Sequence, residues 1–106
     1  MEKNELLRKY ELVVIVDSRL SEEEKDGVVK EVTGYISKNG GNVVNSKVWL
    51  DKQKFTFEIK KKTEGTYYLI NFESDGQGID KIQGALRLHD KVLRSSILVV
   101  EQFATN

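Results

Sequence analysis

Between Phe55 and Phe72 the sequence reads FTFEIKKKTEGTYYLINF, and this stretch constrains the fold more than any other. Phe55, Phe57 and Ile59 alternate with Thr56, Glu58 and Lys60, the two-residue period of a half-buried strand. A polar turn, Lys61-Lys62-Thr63-Glu64-Gly65, follows, with Gly65 free to take a positive φ at its end. Beyond it Thr66, Tyr68, Ile70 and Phe72 share one face, with Tyr67, Leu69 and Asn71 on the other. The stretch predicts a β-hairpin, and a hairpin needs further elements to cover its apolar side.

Those elements are legible on both sides. Residues 1–9 are polar and are expected to be loosely ordered, as are 102–106. Tyr10 to Ser18 (YELVVIVDS) is apolar on both faces at its centre, which marks an internal strand. Ser21 with Glu24 three residues later forms a capping box, and Val28, Val32, Tyr35 and Ile36 recur at helical spacing as far as Lys38. Gly40-Gly41 ends that helix. Val43 to Leu50 is extended, with apolar residues at even positions (Val44, Val48, Leu50), whereas from Phe55 they fall at odd ones. A change of phase by one residue predicts a bulge near Asp51–Lys54, with the strand continuing into the hairpin. Ser74 or Asp75 can cap a second helix carrying Ile79, Ile82 and Leu86, which Gly76, Gly78 and Gly84 weaken. His89-Asp90-Lys91 is a short connection, and Val92 to Val100 is the last strand.

The order β-α-β-β-α-β, with right-handed crossovers, predicts one domain over residues 1–106. It is an α+β ferredoxin-like sandwich, a four-stranded antiparallel sheet with both helices on one face. Two helices leave the other face bare, yet the strands offer apolar residues on both faces: the first strand throughout, Tyr67 and Leu69 opposite Tyr68, Ile70 and Phe72, and Leu98 and Val100 opposite Ile97 and Val99. Such a face predicts a protein partner or self-association, the alternative being that loop and tail residues such as Phe103 fold over it. Trp49, beside the bulge, is either a core-edge residue or an interface anchor, and as an anchor it joins Tyr67 and Leu69 as candidate partner contacts.

Composition narrows the chemistry. The chain has no cysteine and one histidine, so neither a disulfide nor a Cys/His zinc site can be built, and no metal or cofactor is expected. The longest apolar run, Leu12–Val16, is too short to span a membrane, and a cytoplasmic protein is expected. Seventeen basic residues balance seventeen acidic ones, which argues against a generic polyanion-binding domain. The charge is unevenly spread: residues 21–31 carry five acids and two lysines, and residues 41–70 carry six lysines and three acids. Lys60-Lys61-Lys62 is either a solvated turn or a phosphate contact. Catalysis is not expected. His89 beside Asp90 lacks a nucleophile, Gly76-Gln77-Gly78 lacks the remainder of a dinucleotide fingerprint, and Arg19 lacks the glycines of a phosphate cradle. Gly65-Thr66-Tyr67-Tyr68-Leu69 does not match the base-stacking pattern of an RNA-recognition motif either. Basic residues near strand ends remain as phosphate contacts: Arg8, Lys9, Lys52, Lys54, Arg87 and Arg94.

Three stretches together resemble the bacterial small-subunit ribosomal protein six family, from Tyr10 to Val100. Arg8-Lys9-Tyr10-Glu11 is similar to its Arg/Lys-x-Tyr-Glu start, and Phe55 to Lys61 with Gly65-Thr66-Tyr67 to its Leu-Ala-Tyr-Pro-Ile-x-Lys and Gly-x-Tyr. Leu86-Arg87-Leu88-His89-Asp90-Lys91-Val92-Leu93-Arg94 resembles its Leu-Arg-Leu-x-(acid)-x-Val-Leu-Arg. The resemblance implies a structural protein that binds the central domain of small-subunit rRNA together with small-subunit ribosomal protein eighteen, with no DNA or membrane partner. It implies RNA contacts at Arg8, Tyr10, Lys54, Arg87 and Arg94. The family's usual Gly and Arg at the bulge are here Asp51 and Gln53, where Lys52 and Lys54 are the expected substitutes, and its usual Pro is Glu58. The ending Ala104-Thr105-Asn106 predicts none of the added glutamates that some members carry on an acidic tail. The competing reading on the same fold is a dimeric regulatory or small-molecule-binding domain that pairs through its open sheet.

Overall fold

A computed structural model describes residues 7–100. Its elements follow the order β1 (Arg8–Asp17), α1 (Glu22–Lys38), β2 (Asn42–Ile59), β3 (Lys62–Ser74), α2 (Gln77–Leu88) and β4 (Val92–Val100). The strands form one antiparallel sheet in the order β2-β3-β1-β4, so α1 crosses over β3 and α2 crosses over β1. This is the ferredoxin-like sandwich predicted from the pattern.

Alternation builds the core. Tyr10, Leu12, Val14 and Val16 of β1 and Tyr68, Ile70 and Phe72 of β3 point to the helices. They meet Val28, Val32 and Ile36 of α1, and Ile82 and Leu86 of α2. The registers Leu12↔Ile70 and Val14↔Tyr68 place like-facing residues directly opposite, where cross-strand contacts are closest. The helix ends are satisfied locally. The Ser21 hydroxyl accepts from the Glu24 N–H and the Glu24 carboxylate accepts from the Ser21 N–H, both at 3.1 Å. Asp75 receives the N–H groups of Gln77 and Gly78 at 3.1 and 3.2 Å, and so caps α2 as predicted. Gly78, which weakens α2 by propensity, is demanded by packing: a Cβ there would stand 2.6 Å from the carbonyl oxygen of Asn39, where α2 begins against the end of α1.

The bulge lies where the phase change predicts it. The β2–β3 register shifts between Leu50 and Gln53, with Lys52 at φ 52°. The hairpin turn does not lie at Lys61–Gly65. It is the two-residue turn Lys60-Lys61, both at positive φ (51° and 67°), as a type I′ connection requires. Gly65 is instead a buried position within β3, opposite Asp17 and Gln53. Its lack of a side chain serves close approach, because a Cβ would stand 2.5 Å from Phe55 Cζ and 2.8 Å from Ile15 Cγ2. β1 opens at Arg8, inside the segment expected to be loosely ordered. Phe103 and the rest of the tail lie outside the described residues.

Candidate nucleic-acid interface

The two turn residues Lys60 and Lys61 are exposed, yet the hairpin end is tied to the rest of the sheet. It bends across the end of β1 and is fastened there. Ser18 N donates to Glu64 O at 3.3 Å, the Ser18 hydroxyl to Glu64 Oε1 at 2.9 Å, and Lys62 Nζ lies 3.4 Å from Asp17 Oδ2. Lys60 Nζ reaches furthest and donates to the carbonyl oxygen of Val92 at 3.3 Å.

This arch closes one side of a cleft of about 290 Å³ between α2 and β4. Leu86, Val92, Leu93 and Ile97 form its apolar wall, and Lys60, Arg87 and Arg94 contribute the charge. Among the described residues lining it there is no carboxylate. Arg87 sits in the last turn of α2, where a cation also suits the negative end of the helix. Arg94 pairs in register with Ile15, immediately beyond the irregularity that sets Val16 opposite Val92. Two guanidiniums and an ammonium around one concavity present donors suited to phosphate oxygens.

Other predicted contacts are distributed differently. Lys52 and Lys54 are exposed on the bulged part of β2, and Lys54 borders a recess shared with Phe55, Thr63 and Glu64. Arg8 is exposed at the other end of β1, opposite Ser74, and seven residues of strand put it about 23 Å from Ile15, the register partner of Arg94. Tyr10 is a correction. Its side chain is 5% exposed and its ring stacks on Phe72 with centroids 5.3 Å apart, so it is a core residue and not a surface contact. The odd–even alternation of β1 puts it on the helix side with Leu12 and Val14. Lys60 was legible only as one of three turn lysines; its place in the cleft depends on the arch.

On the bare face of the sheet the predicted partner residues come together. Trp49 is half exposed, and its ring meets Tyr67 edge-on at 6.2 Å. Phe55, not singled out from sequence as an interface residue, meets the same tyrosine at 6.4 Å. Leu69 follows Tyr67 on that face beside Val13 in register, and Leu98 of β4 is 57% exposed. The aromatic group rests over Gly65, whose missing side chain lets Phe55 and Ile15 approach.

Electrostatics at the arch are set by local hydrogen bonds. Partial burial pushes the Asp17 carboxyl up. The N–H of Arg19 and the side chains of Lys62 and Arg19 together outweigh it and hold the group below its ordinary value. His89 is not arranged as a base. Its Nε2 lies 2.5 Å from Glu31 Oε1 and its Nδ1 accepts the Lys91 N–H at 3.1 Å, so both ring nitrogens are engaged in joining α1 to the α2–β4 connection.

The sequence model of the family Ribosomal protein S6 matches residues 9–99. The chain belongs to that family. It is 35% identical to the small ribosomal subunit protein bS6 of Thermoanaerobacter pseudethanolicus, over 91% of this chain and 100% of the relative. It is 37% identical to the protein of the same name from Clostridium botulinum, over 90% of this chain and 100% of the relative. Among solved structures, the 30S ribosomal protein S6 of Thermotoga maritima superposes with a TM-score of 0.82 at 28% identity, covering 90% of this chain and 89% of that one. This ribosomal protein S6 family member therefore shares both sequence and fold with its relatives over nearly all of the described residues.

Proposed function

We propose that this chain is a structural component of the small ribosomal subunit in the cytoplasm. In this reading it binds the central domain of small-subunit rRNA jointly with small-subunit ribosomal protein eighteen. The observation that carries it is the cleft in which Lys60, Arg87 and Arg94 converge with no lining carboxylate among the described residues. Family membership supplies the class of partner. Phosphate oxygens occupy the cleft, Lys52 and Lys54 meet further phosphates from the bulged part of β2, and Arg8 meets a separate stretch of RNA at the far end of the sheet. The bare face around Trp49, Tyr67 and Leu69 receives the protein partner, whose basic charge compensates for the zero net charge of this chain.

The test is the affinity for a central-domain rRNA transcript with and without the partner protein, across a salt series. Binding that needs the partner and weakens with salt supports the reading. In Arg87→Ala and Arg94→Ala the logarithmic salt slope should fall by about 1 each. A chain that ignores both RNA and partner and runs as a homodimer overturns it in favour of a regulatory domain pairing through the same face.

A further inference from the structure

Phe57 is 81% exposed, the most exposed aromatic side chain among the described residues. Its exposure is built into the register. Between the pairs Lys54↔Glu64 and Ile59↔Lys62, the four residues Phe55, Thr56, Phe57 and Glu58 stand against Thr63 alone. The surplus length must bow outward. Phe55 turns in, over Gly65 and against Tyr67, whereas Phe57 is left in water. The hairpin on either side of it is nonetheless anchored, by Lys60 to Val92, by Lys62 to Asp17 and by Glu64 to Ser18. A ring on a braced support loses little freedom when it binds.

We propose that Phe57 is a stacking platform for one unpaired base of the bound RNA. The inference rests on the rRNA-binding reading above and adds to it a contact with a base. The surroundings favour a nucleotide over a protein pocket. Phe57 is a single aromatic ring between the exposed polar residues Thr56 and Glu58, with Lys54, Lys60 and Lys61 within four positions along the chain. The aromatic contacts of the bare face join Trp49, Tyr67 and Phe55, and among the described residues Phe57 stacks on none of them. Lys60 links the two sites, since it lines the phosphate cleft three residues from Phe57. A strand whose phosphates enter the cleft can therefore lay a neighbouring base on the ring. Stacking tolerates any base, so Phe57 adds affinity for unpaired nucleotides without adding sequence preference.

The experiment compares the full chain with Phe57→Leu and Phe57→Tyr, using the central-domain rRNA transcript and the same transcript with its unpaired nucleotides closed into duplex. Both series include the partner protein and a salt titration. Leucine keeps the apolar bulk and removes the π-face, and tyrosine keeps it. Phe57→Leu should weaken binding to the natural transcript roughly 10-fold with an unchanged salt slope, while Phe57→Tyr stays close to wild type. On the closed transcript all three proteins should bind alike. Equal affinity of wild type and Phe57→Leu for the natural transcript overturns the proposal. So does a Phe57→Leu defect confined to binding of the partner protein without RNA. Failure of the rRNA reading itself is seen separately, as absence of binding by the wild type. Urea unfolding of Phe57→Leu should match the wild type, because the ring leaves water in neither state.

Discussion

Lys60 Nζ donates a hydrogen bond to the carbonyl oxygen of Val92 at 3.3 Å, which ties the turn of the β2–β3 hairpin to the first residue of β4. The same lysine holds φ at 51°, and Lys61 holds φ at 67°. Left-handed backbone costs about 1 kcal/mol or more in a residue with a Cβ, and glycine is spared it. Lys61→Gly should accordingly raise stability by about 1 kcal/mol in urea unfolding. Lys60→Asn should gain little, because asparagine eases the backbone but the tie to Val92 is lost. Equal gains from both would mean that the tie contributes nothing.

Gly65 separates β1 from the aromatic group of the bare face. Gly65→Ala places a methyl group within 3 Å of both Phe55 and Ile15. Overpacking of this kind costs about 1–3 kcal/mol. The near-ultraviolet dichroism should change as well, because Phe55 must move against Tyr67. An unchanged spectrum with an unchanged unfolding midpoint would show that the face repacks freely.

The carboxylate of Asp17 anchors the arch from below, through Lys62 and the Arg19 N–H. Its folded value lies below the ordinary one despite partial burial, so its stabilisation is complete above the unfolded value of about 4. It is lost as pH falls through the lower, folded value. At pH 7 Asp17→Asn should be less stable by about 1 kcal/mol, since the ammonium of Lys62 is partly solvated. The gap to wild type should close progressively below about pH 4. A gap independent of pH would assign the loss to packing.

Along α2, burial separates Ile82 from Leu88. Ile82 is fully buried between the helices and the sheet, and Leu88 is 84% exposed. Ile82→Ala should cost about 2–5 kcal/mol through the cavity it leaves. Leu88→Ala should stay within about 0.5 kcal/mol. Comparable losses at both sites would require a partner or a neighbouring segment over Leu88.

The strands and helices were readable because each repeats a local rule. The two-residue period of β3, the 3.6-residue period of α1 and the Ser21–Glu24 capping box depend only on neighbours in the chain. Even the bulge was readable, as a change of phase between Leu50 and Phe55. The turn was misplaced because Gly65 looked like the residue with a need for positive φ, whereas two lysines adopt it. Strand pairing fixes where a turn falls, and pairing is not local.

Tyr10 shows the same limit at a site. As part of a motif it resembled a contact residue; stacked on Phe72 it belongs to the core. Arg87 and Arg94 were named seven residues apart in the chain. Their cleft is completed only by Lys60, brought from the far side of the sheet by an arch pinned at Asp17, Ser18 and Val92. The sequence by itself determined which segments are strands and helices, the order that admits this sandwich, and the surplus of apolar residues that leaves one sheet face unfinished. The tertiary structure decided which lysine meets which arginines, and which of two phenylalanines in one bowed segment is half-buried against Tyr67. Periodicity is a property of the chain, but convergence depends on register and curvature, which are settled only when all four strands pair.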